Sequence, residues 1–107
     1  MIKAVFYKDN KGNFTKLVVQ GHSGFDIEGK DIVCAAASGI LLTNVNGCIE
    51  VVGIKHRLIQ DKGYLLFEIN ETNNTKIERC NVLLETTLIG LKELMQQYPK
   101  NVYVEVN

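Results

Sequence analysis

From Asp31 to Val52 the chain places Cys34, Ala37, Leu41, Val45, Cys48 and Val52 at intervals of three and four, which puts them on one face of a helix. Such a stripe must be laid against something, and the flanking sequence supplies strands. Residues Ile2 to Tyr7 and Phe14 to Gln20 bracket the turn residues Asp9-Asn10-Lys11-Gly12-Asn13 and read as a hairpin. Lys55 to Gln60 and Tyr64 to Asn70 alternate around Asp61-Lys62-Gly63 and read as another, with Gly53 as the expected helix stop before them. Thr75-Lys76-Ile77-Glu78 has the spacing of a capping box, and Ile77, Leu84, Leu88, Leu91 and Met95 form a second apolar stripe that should end near Tyr98, before Pro99. Asn101 to Val106 closes the chain as a strand. The order ββαββαβ, with no repeat or low-complexity segment, implies an α+β fold with two helices packed on a mainly antiparallel sheet.

A chain of 107 residues, 46% of them apolar, suits one domain over residues 1–107. Twelve Lys and Arg balance twelve Asp and Glu. No global positive field is therefore available to hold nucleic acid or an acidic membrane, and neither is expected as a partner. The first apolar run, closed by Lys8 and Asp9, is too short for a signal segment. The three cysteines, Cys34, Cys48 and Cys80, include no Cys-x-x-Cys pair. An odd number of unpaired thiols fits a reducing, cytoplasmic setting better than a disulfide scaffold.

Chemistry is concentrated in Gly21-His22-Ser23-Gly24-Phe25-Asp26-Ile27-Glu28-Gly29-Lys30-Asp31-Ile32-Val33-Cys34-Ala35-Ala36-Ala37-Ser38. His22 falls just past a strand end and Cys34 in the first turn of a helix. First-turn N–H groups lack intrahelical partners, and the macrodipole is positive there, so a thiolate at Cys34 is favoured. Asp31 suits the N-cap; alternatively it could orient His22. A loop containing Gly24 and Gly29 can double back to bring the imidazole to the sulfur. A lone Cys on an apolar face and a lone His near a strand end are also ordinary structural residues. What favours chemistry is the position of the thiol at the helix start and the small neighbours Ala35, Ala36 and Ala37.

The two halves of this segment, Gly21-His22 with its Gly-rich loop and Gly29-Lys30-Asp31-Ile32-Val33-Cys34-Ala35-Ala36-Ala37-Ser38, together resemble the Prp family of ribosomal-processing cysteine proteases. The resemblance extends over the whole chain in length and element order. It implies a thiol endopeptidase that removes a short N-terminal extension from large-subunit ribosomal protein twenty-seven, cutting after an aromatic pair and before a small residue. It implies His22 as general base and Cys34 as nucleophile, with Asp31 and Ser38 at polar motif positions, no cofactor, and a homodimer. Ala37 departs from the pattern, standing where many relatives have a β-branched residue.

The residues permit acyl transfer: His22 takes the Cys34 proton, the thiolate attacks a peptide carbonyl, and His22 protonates the departing amine. The oxyanion is expected at the Cys34 N–H and one further donor from the Gly21 to Gly24 turn. Gly21, Gly24, Phe25, Asp26, Glu28 and Ser38 are candidate substrate contacts. Phe25 and Ile27 either line an aromatic-accepting pocket or anchor the loop, and Ser38 either faces the site or bonds back to its helix. Asp26, Glu28 and Asp31 against Lys30 leave the loop with a balance of minus two, which would attract a basic substrate N-terminus.

Cys48 and Cys80 are expected in the core, and His56 exposed on a strand. Leu83 and Leu94 beside the main stripe widen the second helix's apolar face and suggest burial against another subunit. Two other classes remain. A zinc module using these Cys and His residues lacks any knuckle spacing. A noncatalytic RNA-binding or ribosome-assembly module is compatible with the element order but lacks a basic patch and an aromatic pair on adjacent strands.

Overall fold

In the computed structural model, which describes residues 1–107, the strands are β1 (Ile2–Lys8), β2 (Phe14–Gln20), β3 (His56–Asp61), β4 (Tyr64–Ile69) and β5 (Val102–Val106), and the helices α1 (Ile32–Asn46) and α2 (Asn74–Gln97). The sheet order is β3-β4-β2-β1-β5, antiparallel throughout except where β5 runs parallel to β1. The expected α+β class and ββαββαβ order are thus realised.

Alternation along the strands creates the two layers. Ile2, Ala4, Phe6, Leu17, Leu65, Phe67, Val102 and Val104 are buried and join the helix stripes in one core. The opposite, solvent-facing side of the sheet carries the ion pairs Lys3–Glu105 at 3.9 Å and Arg57–Glu68 at 3.8 Å, and the Lys16 ammonium over the Tyr7 ring at 4.3 Å. These exposed contacts tolerate the surface more than they stabilise it. Phe6 and Phe14 meet edge to face at 5.7 Å inside the core, where burial of each ring contributes about 1.5–3 kcal/mol.

The helix stripes fall largely where their spacing places them. Val33, Ala37, Leu41 and Val45 are buried along α1, and Cys80, Leu84, Thr87, Leu88, Leu91 and Leu94 along α2. The helices approach closely at Gly90, where a Cβ would lie 2.9 Å from Ile40 Cγ2. Glycine in a helix interior costs about 0.5–1 kcal/mol, and here the close packing requires it.

Two helix boundaries differ from expectation. The expected helix to Val52 is α-helical only as far as Asn46, and continues as a π-helical segment, Gly47–Val52, that keeps Cys48 buried. It ends at Gly53 in the left-handed region (φ 73°), whose N–H bonds the Cys48 carbonyl. The capping box at Thr75 does not form. The N-cap is Asn73, whose side chain accepts from the Lys76 N–H at 3.0 Å, because Glu71 first ties down the amides of Thr72 and Asn73 and bends the chain there.

Candidate active site

Four chain segments meet at one end of the sheet. β2 pairs with β4 up to Gln20 and Tyr64, and the Gly21 N–H then donates to the Gly63 carbonyl at 2.9 Å, which fixes the loop's entry beside the β3–β4 turn. The N-terminus of α1 lies over the same end, and the chain enters β5 there through Asn101, whose carbonyl accepts from the Ile2 N–H at 2.8 Å.

His22 follows directly and is exposed, with its ring lying against Gly63. A Cβ at Gly63 would come within 2.8 Å of His22 Nε2, and Gly63 also has a φ of 71°. The turn therefore needs glycine twice over, for its backbone and for the imidazole above it.

Asp31 is the hub of the loop. Its Oδ1 accepts from the N–H groups of Val33 at 3.0 Å and Cys34 at 2.9 Å, closing the start of α1. Its Oδ2 accepts from the Ser23 hydroxyl and from the N–H groups of Phe25 at 3.2 Å and Asp26 at 3.3 Å. Desolvation pushes this carboxyl up, but the bonds from Ser23, Cys34, Asp26 and Phe25 outweigh it and hold Asp31 at about 2. Between the alternatives of N-cap and imidazole orienter, its hydrogen bonds are those of the N-cap.

Cys34 is half-buried at the helix start, and its Sγ accepts from the Ser23 N–H at 3.3 Å. His22 and Cys34 face a common cavity of about 620 Å³, with Gly21, Gly24, Asp31 and Ser38 also on its wall. The expected hydrogen bond between imidazole and thiol is not formed in this conformation; the sulfur's bond is to Ser23. The expectation that the Cys34 N–H receives the oxyanion is corrected by geometry, because the carboxylate of Asp31 occupies that N–H.

Most candidate contact residues share the wall. Gly21, Gly24, Asp26, Glu28 and Ser38 line the cavity, which for Ser38 is the site-facing alternative. Phe25 does not line it: the ring, 45% exposed, packs edge to face on Tyr98 at 5.3 Å, the anchoring alternative. Ile27 is 65% exposed and does neither. The loop's acidic balance is also reduced. Lys62 meets Glu28 at 2.9 Å and holds that carboxyl below its usual range, while Asp31 is committed inward. Asp26 is then the loop's remaining acidic side chain without a cationic partner, and Asp61, at the end of β3, joins it on the wall.

Three residues that sequence reasoning passed over shape the site. Ser23 is only 2% exposed: its N–H meets Cys34, its hydroxyl meets Asp31, and its carbonyl accepts from Asn101 Nδ2 at 2.9 Å. Asn101 comes from the start of the last strand, and Gly63 from the β3–β4 turn. Only Ser23 carried a sequence signal, as a small polar residue inside Gly21-His22-Ser23-Gly24.

The other candidates lie apart. Cys48 and Cys80 are fully buried as expected, and the neighbouring Cys80 thiol together with burial pushes Cys48 up. His56 is half-buried rather than exposed, because its Nδ1 bonds the Ile54 carbonyl at 2.8 Å and its ring tilts on Phe67 at 5.8 Å. No three His, Cys, Asp or Glu side chains converge on a metal-sized space.

Comparison with known proteins accords with this geometry. The profile of the cysteine protease Prp family matches residues 1–103. The ribosomal processing cysteine protease Prp of Bacillus subtilis is 26% identical over 110 residues, covering 100% of this chain and 98% of its own. That of Staphylococcus aureus is 29% identical over 104 residues, 95% of each chain. A crystal structure of the S. aureus ribosomal processing protease with a covalently linked product peptide superposes with a TM-score of 0.90, at 27% identity and full coverage of both chains.

Proposed function

The chain belongs to the cysteine protease Prp family, and from that premise we propose that Cys34 is its nucleophile, His22 its general base and acid, and the N-terminal extension of large-subunit ribosomal protein twenty-seven its substrate. One observation carries the reading: Cys34 is the cysteine that reaches a cavity, and it shares that cavity with His22. The Ser23 N–H donates to its sulfur and so holds it in place on the cavity wall.

Rotation of the exposed imidazole from its place on Gly63 brings it to the sulfur when a peptide enters. His22 then accepts the thiol proton as the sulfur attacks the carbonyl, and returns it to the amine as the C–N bond breaks. Water hydrolyses the thioester. Asp31 serves this chemistry as a positioning residue, fixing both the helix start and the loop; Gly21, Gly24, Asp26, Glu28 and Ser38 form the substrate wall.

The relatives' description as ribosomal processing proteases and the peptide held by the S. aureus structure support a peptide substrate of ribosomal origin. Zero net charge and unpaired cysteines suit a cytoplasmic enzyme that meets its substrate as protein rather than through nucleic acid or membrane. Leu94 is buried in the protein's own core and Leu83 packs partly against it, so neither is left for the subunit contact expected of them; Val82 and Ile89, 66% and 63% exposed on α2, suit a homodimer contact instead.

The test is mass analysis of the purified protein mixed with a peptide of the ribosomal-protein extension, beside a scrambled peptide of the same composition. Cleavage of the first at a single bond, after the aromatic pair, is expected. Equal cleavage of both peptides, or of neither, contradicts the substrate assignment.

A further inference from the structure

Because the Asp31 carboxylate occupies the Cys34 N–H, acyl transfer at Cys34 needs another donor for the developing oxyanion. The Ser23–Gly24 peptide supplies one. Its carbonyl accepts from Asn101 Nδ2 at 2.9 Å, and it is trans, so its N–H points the opposite way. That N–H belongs to Gly24, which lines the cavity with His22 and Cys34, whereas Asn101 stands off the wall. The Gly24 N–H bonds no group of the protein, although the amides on either side of it, of Ser23 and Phe25, are both engaged. Nothing lies within 4 Å of the position a Gly24 Cβ would take, so the loop is uncrowded on that side of Gly24.

We propose that the Gly24 N–H holds the oxyanion and that Asn101, from the far end of the chain, is the positioning residue that aims it through the Ser23–Gly24 peptide. The inference rests on the proposed reaction at Cys34 and adds a second role to its loop. As the C–S bond forms, the carbonyl π pair moves onto oxygen and the Gly24 N–H meets it. As the tetrahedral adduct collapses, that pair returns, the C–N bond breaks, and the amine leaves with the proton from His22. Donation by Asn101 to the carbonyl also polarises the peptide and strengthens its N–H as a donor.

Asn101→Asp keeps the side chain's shape without its amide donor; Asn101→Ala removes both, and Asn101→Ser is a third, smaller replacement. Each is checked for a cooperative melt, and any one that folds decides. Two rates are compared with the parent: hydrolysis of the ribosomal-extension peptide, and alkylation of Cys34 by iodoacetamide, a displacement at carbon that forms no oxyanion. The expected result is a kcat lower by about 10- to 100-fold, the scale of a weakened oxyanion donor. KM and the alkylation rate should stay near the parent's. An unchanged kcat, a change confined to KM, or an alkylation rate that falls in step with kcat overturns the proposal. Hydrolysis that survives in Cys34→Ala overturns the underlying reaction instead, whereas Cys34-dependent hydrolysis indifferent to Asn101 overturns only the role given to Asn101.

Discussion

The Ser23 N–H donates to Cys34 Sγ at 3.3 Å, and the hydroxyl of the same Ser23 donates to Asp31, the residue that caps the helix on which Cys34 sits. Loop and helix start are thus one hydrogen-bonded unit. The thiol is placed by both, and a substitution that frees either should disturb the other.

Asp31 gives this unit a pH dependence. Its folded-state carboxyl titrates near 2, below the ordinary 3.8, so its contribution is fully present above about pH 4 and is lost as pH falls through the folded value. Asp31→Ala should lower stability at neutral pH, the usual effect of losing a side-chain N-cap, and should also reduce activity by releasing the loop. Urea denaturation of parent and variant should show their difference constant near neutrality and shrinking between about pH 4 and 2. A difference that persists at pH 2 would show that the charge is not what matters.

Gly63→Ala tests whether the imidazole needs the turn beneath it. The new methyl would meet His22 Nε2 at 2.8 Å, in a turn whose φ of 71° already disfavours alanine. Gly12→Ala is the control, since its φ of 82° carries the same backbone penalty while its Cβ meets nothing. Both variants should lose comparable stability, but only Gly63→Ala, whose methyl intrudes on the space in which the imidazole turns toward Cys34, should lose peptide hydrolysis, by about tenfold or more, the scale of a hindered general base. Equal activities in the two would separate Gly63 from the chemistry.

Labelling should distinguish the three thiols by access. Cys34 is half-exposed on the cavity wall, whereas Cys48 and Cys80 are fully buried behind the π-helical segment and α2. Brief treatment of the folded protein with iodoacetamide, followed by peptide mapping, should find the label on Cys34, with the other two reacting only after denaturation. Labelling of all three at similar rates in the folded protein would contradict the packing described.

The parts of this arrangement legible in the sequence are those set by periodicity and by local chemistry. Spacings of two, three and four placed the strands and helices, because burial on one face repeats with the element's own period. Asp31 was readable as a cap because caps act on amides two and three residues ahead. The helix end was less readable: Cys48 continues the apolar stripe, and nothing local distinguishes an α turn from the π turn that keeps it buried. The α2 start was misplaced because Asn73, held by Glu71, caps the Lys76 amide and so starts the helix before Thr75. Asn101 was invisible, since its contact with Ser23 spans 78 positions and arises only when β5 enters the sheet beside β1. The imidazole's place on Gly63 was hidden for the same reason, as it depends on β2 pairing with β4.

The most direct test of the central claim is the rate at which Cys34→Ala cleaves the ribosomal-extension peptide, followed by mass spectrometry beside the parent. The parent should cleave at one bond, and the variant should fall by at least about 10³-fold, as expected for removing a covalent nucleophile. A variant that cleaves as fast as the parent would contradict the account.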